Sequence, residues 1–319
     1  MTKNLTRAEA AGFLLAHDNF TILTHRRPDG DTLGSSAALC RGLRSLGKTA
    51  HLLENNEVTP LYAPLVEGLT KPQPEEGDLL IAVDVAADTM LPHACDHLKN
   101  SIDLRIDHHG SGREYTPNEY VDSRAAACAE MIWELLLDMG VEPDEKIAEA
   151  VYVGVSTDTG RFLYANTSSH TFDVAGDCAH FGADVFEWNR KIFDTNSLAK
   201  LKLHAWVVDH LKFLCDEKIV MCALPASVEE ALGVDEDDLN NLSGFLRSIE
   251  GVCVAVLLRN ADENNTKVSV RSIPGYNAAS ICELFGGGGH PGAAGCSLRM
   301  GLDEAEKEME KALIKWERS

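Results

Sequence analysis

Residues of the types that bind divalent metals occur in four short clusters in the first half of the chain. Six of them carry an imidazole or a carboxylate: His25, Asp29, Asp31, Asp84, His108 and Asp158. Each cluster follows a predicted strand or helix, and ligand sites of open α/β sheets form at the carboxyl ends of strands. Imidazole and carboxylate without thiolate suit Mn²⁺, Fe²⁺ or Co²⁺ better than structural zinc. The set predicts a divalent-metal site, although any one of these aspartates alone is more often a turn residue or a helix N-cap.

The elements that precede the clusters would bring them together. The predicted strands are Phe20–Thr24, Leu79–Val83 and Ile102–Ile106; the predicted helices are Thr32–Leu46, Ala125–Met139, Glu145–Val155 and Ser168–Phe181, with a turn at Ser156–Gly160. Strands that alternate with helices predict an α/β fold, a parallel sheet with helices on both faces.

The pattern changes after residue 185. The predicted strands there are Ile219–Leu224, Val252–Leu258 and Lys267–Arg271; the predicted helices are Asp237–Ile249, Asn277–Phe285 and Asp303–Lys315. We predict a metal-binding domain in residues 1–185, a helical connector in 186–205 and a smaller α+β domain in 206–319. Two domains on a connector predict a cleft that closes on its substrate.

Composition narrows the classes of function. The 319 residues are 45% apolar, which is enough for two globular domains. The formal net charge of −21 repels polyanions, and no Lys/Arg-rich run offsets it. We therefore expect no binding of long duplex DNA, whereas a short anion still binds where metals or local cations outweigh this field.

Cysteine spacing and hydropathy indicate the compartment. The nine cysteines are scattered, with no C-x-x-C pair, which predicts reduced thiols rather than disulfides or a zinc ribbon. No apolar run approaches membrane-spanning length, and the apolar stretch around residues 10–16 lacks a signal-peptide cleavage pattern. We expect a cytoplasmic protein without a membrane partner.

In chain order, the four clusters resemble the motifs of the DHH phosphoesterase superfamily. They are H-x-x-P-D-G-D from His25, a strand-terminal Asp84, D-H-H-G from Asp107 and T-D-T-G from Thr157. Gly286–His290 resembles the glycine loop of the C-terminal domain found in one DHH subfamily. That subfamily contains RecJ-like nucleases, nanoRNase/pAp phosphatases and cyclic-di-AMP or pApA phosphodiesterases. The resemblance spans roughly residues 15–300.

The resemblance implies two metal positions and two accessory residues. His25, Asp29 and Asp84 would hold one ion; Asp31, Asp84, His108 and Asp158 would hold the other, with Asp84 bridging. Asp107 would orient a histidine, and His109 would reach the scissile phosphate or the leaving oxygen, so Asp84, Asp107 and His109 are the expected catalytic residues. Two ions, for which we expect Mn²⁺, would lie about 3.5–4 Å apart and clamp the attacking and departing oxygens, and water bridging them would lose its proton near neutral pH.

The second domain would bind the rest of the substrate. The resemblance implies a pocket built by Arg271, Ser272, Gly286, Gly287, Gly288, Gly289 and His290. Consecutive glycines let backbone N–H groups approach phosphate oxygens, and arginine adds a bidentate contact. The alternative is a glycine-rich turn without a ligand. Arg113 and Arg161 are weaker candidates, with ordinary surface arginines as the alternative.

The predicted activity is hydrolysis of short RNA, pAp, pApA or related cyclic dinucleotides by a two-metal phosphoesterase. One alternative is a family II inorganic pyrophosphatase or exopolyphosphatase, which would carry a different C-terminal domain. The other is a non-catalytic nucleotide- or RNA-binding module. The apolar helix predicted at Ala125–Met139 would supply a homodimer interface.

Overall fold

The chain forms two compact units. The computed structural model describes residues 2–110, 113–239 and 241–317, and it divides into Met1–Thr195 and Asn196–Ser319. The division lies inside the predicted connector. That connector is not one continuous helix, because a π-helical turn at Arg190–Asp194 and residues 195–197 interrupt it.

The first unit is built on a seven-stranded sheet in which every described pair of neighbours is parallel. The strands are β1 (Lys3–Asn4), β2 (Phe20–Leu23), β3 (Ala50–Leu53), β4 (Thr70–Lys71), β5 (Leu79–Val83), β6 (Ile102–Asp107) and β7 (Asn118–Val121), in the order β1-β7-β6-β5-β2-β3-β4. The three strands predicted from apolar runs are the central neighbours β6, β5 and β2. Strands β2 and β5 are buried on both faces and do not alternate, whereas β6 alternates apolar with charged residues and still buries Arg105 and Asp107.

Helices cover this sheet, which confirms the predicted α/β fold. They are α1 (Arg7–Ala16), α2 (Gly30–Ser45), α3 (Ala63–Val66), α4 (Cys128–Asp138), α5 (Glu145–Asp158), α6 (Ser169–His180) and α7 (Val185–Asn189), with 3₁₀ turns at Asp88–Met90 and His93–Ser101. The predicted turn at Ser156–Gly160 is wrong in its first half. Helix α5 continues to Asp158, so this aspartate ends a helix instead of lying in a turn.

Most of helix α4 packs within this chain, and the homodimer interface stays a prediction. Met131, Trp133 and Leu135 are buried in the core of the first unit, whereas Leu137 is 43% exposed. A helix that is apolar on most sides is typical of a central position in a domain. Its composition therefore reflects packing within this chain.

The second unit has a mixed six-stranded sheet with helices. The strands are β8 (Lys212–Leu214), β9 (Ile219–Leu224), β10 (Val254–Asp262), β11 (Asn265–Ser272), β12 (Gly288–His290) and β13 (Ala293–Leu298), in the order β12-β13-β11-β10-β9-β8. Within this second sheet, β9 and β10 are the only described neighbours that pair in parallel. The helices are α8 (Leu198–Asp209), α9 (Ala226–Leu232), α10 (Glu236–Leu239), α11 (Leu242–Arg247), α12 (Ala278–Glu283) and α13 (Leu302–Glu317). The sheet and its helices confirm the predicted smaller α+β domain.

One predicted helix of this unit is wrong. The segment Asp237–Ile249 is divided between α10 and α11, and Asn241 between them has a left-handed φ of 58°. An α-helix does not continue through a left-handed residue.

The thiols and the helix lengths agree with the sequence pattern. All nine cysteines are free, and seven of them are buried. Within the described residues, no helix combines the length and the apolar character needed to cross a membrane.

Candidate metal centre

Three neighbouring strands of the first unit end in the predicted cluster residues. The parallel strands β6, β5 and β2 lie side by side, so their carboxyl ends share one edge of the sheet. His25 follows β2, Asp84 follows β5 and His108 follows β6. The order of the strands thus brings together residues that are up to 83 positions apart in sequence.

Two helices add the remaining carboxylates at this edge. Asp29 is the N-cap of α2, and its Oδ1 accepts the N–H groups of Asp31 and Thr32, each at 3.1 Å. Asp31 is buried and receives the first N–H groups of α4, from Cys128 at 2.7 Å and Ala129 at 2.9 Å. These donors stabilise a carboxylate at a helix N-terminus.

Asp158 enters the site because α2 and α5 approach closely through glycine. A Cβ on Gly34 would lie 2.3 Å from the carbonyl oxygen of Ala150, and one on Gly154 would lie 2.8 Å from Asp31 Oδ1. Neither position has room for a side chain. The helix that carries Asp31 and the helix that ends at Asp158 are therefore in direct backbone contact.

Three sets of side-chain atoms lie close enough to share a metal ion. Each set offers donor atoms within 4.8 Å of one another: His25, Asp29 and Asp84; Asp31, His108 and Asp158; and Asp84, His108 and His109. His108 Nε2 lies 3.8, 3.6 and 3.7 Å from oxygens of Asp31, Asp84 and Asp158. His25 Nε2 lies 3.6 Å from Asp29 Oδ1 and 3.8 Å from Asp84 Oδ2. All six predicted metal ligands are thus brought together, and Asp84 belongs to two of the sets.

The donor atoms fit divalent cations. Donors about 2.1 Å from one ion at tetrahedral angles lie roughly 3.4 Å apart, close to the separations above. Among the residues that the structure describes, Asp84 Oδ1 and His108 Nε2 are buried without a hydrogen-bond partner, which is costly for polar atoms. The other ring nitrogens donate to carbonyls, His25 Nδ1 to Arg26 at 2.8 Å and His108 Nδ1 to Ala125 at 3.2 Å. Metal-binding histidines have this arrangement, with the second nitrogen hydrogen-bonded.

The electrostatics of the site also favour bound cations. Burial, followed by the charges of Asp31 and Asp29, raises the pKa of Asp84 well above its ordinary value. Burial, followed by the charge of Asp31, raises the pKa of Asp158 to about 7. Carboxylates crowded in a buried site oppose one another's ionisation unless cations neutralise them.

The backbone at Asp84 is strained. Its φ of 58° is left-handed, which is uncommon for a residue other than glycine. Its N–H donates to the Ile106 carbonyl at 2.9 Å, and the residue is 2% exposed. Strain of this kind persists where the surroundings fix the conformation, and it occurs mostly at functional sites.

Asp107 holds the second histidine of the motif. Asp107 Oδ1 accepts the backbone N–H of His109 at 3.2 Å and its Nδ1–H at 2.8 Å. Burial lowers the pKa of His109, but the hydrogen bond and the charge of Asp107 outweigh it and raise that pKa overall. With Nδ1 occupied by Asp107, Nε2 is the ring nitrogen of His109 that remains to contact a substrate.

The second unit aligns Arg271 and His290. Both residues pair with Ala293 of β13, Arg271 from β11 and His290 from β12. Directly opposed residues of antiparallel strands point to the same face, so the three form a row about 9–10 Å long across three strands. His290 is exposed, and the small side chain of Ala293 lies between it and Arg271. We call these three residues the 271–290 row.

The four glycines differ in what they do. Gly286 and Gly289 have φ of 73° and 144°, which favour glycine. A Cβ on Gly287 would lie 2.4 Å from the Gly295 carbonyl oxygen, whereas one on Gly288 would meet open space. The predicted glycine loop is in part the edge strand β12. Its glycines allow the segment to pack closely on β13.

Ser272 and the two weaker arginine candidates have partners of their own. Ser272 is 5% exposed, and its hydroxyl lies 2.6 Å from the Pro291 carbonyl oxygen, so it anchors the segment after β12. Arg113 pairs with Asp88 at 2.8 Å, and Arg161 pairs with Asp194 at 2.7 Å. Both arginines are thus held within the first unit.

Two charged residues of this unit were not identified from the sequence. Arg105 and Glu119 are each 2% exposed, and Arg105 contacts the carboxylates of Glu119 and Asp107. The sequence signal was weak, because the predicted strand Ile102–Ile106 also contains Asp103 and alternates apolar with charged residues. Sequence alone does not show which side of the sheet that arginine faces or what it meets there.

The fold and the site together define a metal-dependent phosphoesterase. The chain belongs to the DHH family: residues 19–155 match the DHH family N-terminal domain, and residues 217–318 match the DHHA1 domain. It is 32% identical over 295 residues to the bifunctional oligoribonuclease and PAP phosphatase NrnA of Thermus thermophilus, covering 92% of this chain and 88% of the relative. The NrnA of Bacillus subtilis is 29% identical over 294 residues, covering 90% and 92%. An exopolyphosphatase-related protein from Bacteroides fragilis has the same fold, with a TM-score of 0.87, 24% identity and coverage of 99% and 98%.

Proposed function

We propose that this protein hydrolyses the phosphate esters of short oligoribonucleotides and small nucleotides such as pAp and pApA, and that it uses two Mn²⁺ ions. The observation that carries the metal-dependent chemistry is the shared position of Asp84, which belongs to two adjoining sets of ligand atoms. The substrate class is supported by the names of the NrnA relatives, which match nearly the whole chain.

The ligands divide between two positions. His25, Asp29 and Asp84 would hold one ion; Asp31, Asp84, His108 and Asp158 would hold the other. Divalent cations there would supply Lewis acidity to a water nucleophile and to the phosphoryl oxygens. Helix α4 fixes Asp31 through two N–H groups, and the Ala125 carbonyl fixes the ring of His108. Rigid ligands reduce the reorganisation that the reaction requires.

Two further groups act on the substrate. His109, held by Asp107, would contact the scissile phosphate or the leaving oxygen with Nε2. The 271–290 row would hold a phosphate or base away from the reacting bond. Arginine binds phosphate with two parallel hydrogen bonds, and a small residue between two polar ones leaves space for an oxygen.

The two alternatives are less well supported. A family II pyrophosphatase was expected to carry a different C-terminal domain, and this chain carries a DHHA1 domain. A non-catalytic binding module has no need to gather six metal-binding side chains at one sheet edge.

An activity panel tests the proposal. Purified protein with Mn²⁺ is assayed on pAp, pApA, pGpG, cyclic-di-AMP, short RNAs and pyrophosphate, with product analysis to give the polarity of cleavage. We expect turnover of short RNA, pAp or pApA and little of pyrophosphate. Faster hydrolysis of pyrophosphate than of every nucleotide would establish the first alternative. Nucleotide binding without hydrolysis would establish the second.

A further inference from the structure

An arginine is buried in the middle of the strand that leads to the metal centre. Arg105 of β6 is 2% exposed and contacts two buried carboxylates, Asp107 on the same strand and Glu119 on β7. Residues two apart on a strand share a face, and the sheet register sets Arg105 directly opposite Glu119. The three charges therefore meet on one face of the sheet. A buried cation is costly unless it is paired, and here it is paired twice.

Arg105 and His109 hold opposite oxygens of Asp107. Oδ1 accepts both hydrogen bonds from His109, whereas Oδ2 accepts from Arg105 Nη2. A carboxylate held through both oxygens does not rotate about its terminal bond. The plane of Asp107, and with it the direction of the His109 ring, is thus set from behind by Arg105.

Glu119 fixes the chain that follows the D-H-H-G motif. Its Oε1 accepts the N–H groups of Tyr115 at 2.9 Å and Thr116 at 3.3 Å, and its Oε2 accepts from Arg105 at 3.2 Å. Arg105 Cζ lies 5.4 Å from the centroid of the Tyr115 ring, over its face. The Tyr115 hydroxyl donates to the Val85 carbonyl at 2.8 Å. The network thus also reaches the residue next to Asp84.

We propose that Arg105 and Glu119 are positioning residues for the ester hydrolysis, acting through Asp107 on the ring of His109. This inference rests on the proposed function. Ion pairs that served only the stability of the fold would need no link to His109. The network instead contacts Asp107 of the D-H-H-G motif, the segment 115–116 that follows the motif, and Val85 next to Asp84.

A double-mutant cycle separates a role in positioning His109 from a role in the stability of the fold alone. Arg105→Lys keeps the positive charge but loses the planar fork that reaches two carboxylates at once. On pApA with saturating Mn²⁺, it should lower kcat by about 10- to 100-fold, the usual effect of losing such an outer hydrogen-bond partner, with little change in KM. In the His109→Ala background, the same substitution should change kcat less than about two-fold, because residues that act as a unit are not additive.

The chain offers a matched control. Arg7 of α1 also pairs with two carboxylates, Glu134 at 2.6 Å and Asp138 at 2.7 Å, away from the D-H-H-G motif. Arg7→Lys should leave kcat unchanged. The proposal is overturned if Arg105→Lys has wild-type kcat, or if it loses as much in the His109→Ala background as alone.

Two further measurements keep the test decisive. If circular dichroism shows that Arg105→Lys is unfolded, Glu119→Gln takes its place in the same cycle, since its amide oxygen still accepts from Tyr115 and Thr116. The ring N–H proton of His109, assigned by its loss in His109→Ala, should shift in the NMR spectrum of either variant. An unshifted proton contradicts the positioning role. A wild-type protein that turns over no nucleotide refutes the proposed function, whereas the NMR result still decides whether Arg105 positions His109.

Discussion

At the residue scale, Asp84 combines features that oppose stability. Its backbone is left-handed, and burial together with the charges of neighbouring aspartates raises its pKa. An ionised Asp84 therefore costs free energy in the folded metal-free chain, and a bound cation would offset that cost. Such a residue is best understood as a ligand whose surroundings are arranged for the occupied state.

Asp84→Asn should separate stability from activity. The change keeps the shape of the side chain but removes an ionisable group buried beside Asp31. Because burial and the charges of Asp31 and Asp29 oppose the ionisation of Asp84, removing the ionisable group should raise the free energy of unfolding in EDTA. Turnover with Mn²⁺ should be abolished. Urea unfolding and steady-state kinetics measure the two effects.

Asp173→Asn, at an exposed carboxylate of α6, is the control for this pair of measurements and should change neither. Retention of more than about a tenth of the wild-type kcat in Asp84→Asn, a barrier change below about 1.4 kcal/mol, would contradict a shared ligand at this position.

Metal removal gives a second prediction. Elemental analysis should find two divalent ions per chain, and Mn²⁺ should activate more than Mg²⁺. Because the ions bind the folded state, each site should add about 2.7 kcal/mol to the free energy of unfolding when the free-ion concentration is 100 times its Kd. A stoichiometry of one ion, or zinc bound by cysteine thiolates, would refute the ligand assignment.

The residue types of the site could be read from the sequence, whereas its supporting contacts could not. Histidines and aspartates after apolar runs indicate metal ligands, and their clustering follows once the strands are neighbours. Arg105 gives no comparable signal, because its meaning depends on the register between β6 and β7. Register between separate parallel strands is set by tertiary packing and leaves no local pattern.

At the element scale, the contact between α2 and α5 determines the distance between Asp31 and Asp158, the carboxylates that these helices carry. Gly34 and Gly154 let the helix backbones approach where any side chain would collide. The sequence gives no warning of this, since a glycine inside a helix reads only as a weak point.

Gly154→Ala should damage both stability and catalysis. A Cβ there would lie 2.5 Å from Ala129 Cβ and 2.8 Å from Asp31 Oδ1. Overpacking of this kind costs about 1–3 kcal/mol of stability. Displacing Asp31 by an ångström should lower kcat on the order of 100-fold. Thermal unfolding and steady-state kinetics at saturating Mn²⁺ test both.

Gly176→Ala is the matched control. Gly176 also lies inside a helix, α6, but a Cβ there meets nothing within 4 Å. This variant should be more stable than the wild type by about 0.5–1 kcal/mol, because alanine is the better helix former. Equal behaviour of the two variants would mean that the close approach of α2 and α5 is unimportant.

Long apolar or periodic elements were predictable, and short ones were not. Strands β5 and β9 have the predicted bounds. The sequence did not predict strands β1, β3, β4, β7, β8, β12 and β13. All of these except the six-residue β13 have two to four residues, which are too few to show a period. Strand β12 consists of two glycines and a histidine, and its pairing depends on β13 alone among the described strands.

At the scale of the whole molecule, the two units divide the proposed work. The proposed metal ligands all come from the first unit, and the 271–290 row comes from the second. The sequence predicted this division from the change of pattern near residue 185. It did not predict the row itself, which exists only because β12 and β11 flank β13 in matching register.

Arg271→Ala and His290→Ala should mainly raise KM for dinucleotides and leave metal stoichiometry unchanged. A lost charge-assisted hydrogen bond is worth roughly 1.5–3 kcal/mol, so kcat/KM should fall about 10- to 150-fold. Bis-p-nitrophenyl phosphate, which lacks the second nucleotide, should lose far less. Some decrease of kcat on the dinucleotide is compatible with this role, since remote binding energy also aids the chemical step.

The loss of kcat/KM on the dinucleotide, compared with the loss on bis-p-nitrophenyl phosphate, decides whether Arg271 and His290 bind the substrate away from the reacting phosphate. Arg299→Ala, an exposed arginine just beyond the other end of β13, is the control and should affect neither substrate. Equal losses on the dinucleotide and the generic ester would mean that these residues act at the reacting phosphate. No loss on either would make the row structural.

The edge position of β12 has an evolutionary consequence. Gly289 of this strand is constrained by its φ of 144° and its close approach to β13, whereas Gly288 and His290 are exposed and contribute little to the core, so substitutions at these two positions are tolerated. The contact between α2 and α5, by contrast, admits only glycine at positions 34 and 154. With the proposed substrate role of His290, descendants of such a protein would acquire new substrate preferences through substitutions at two exposed positions, while the proposed metal centre is inherited unchanged.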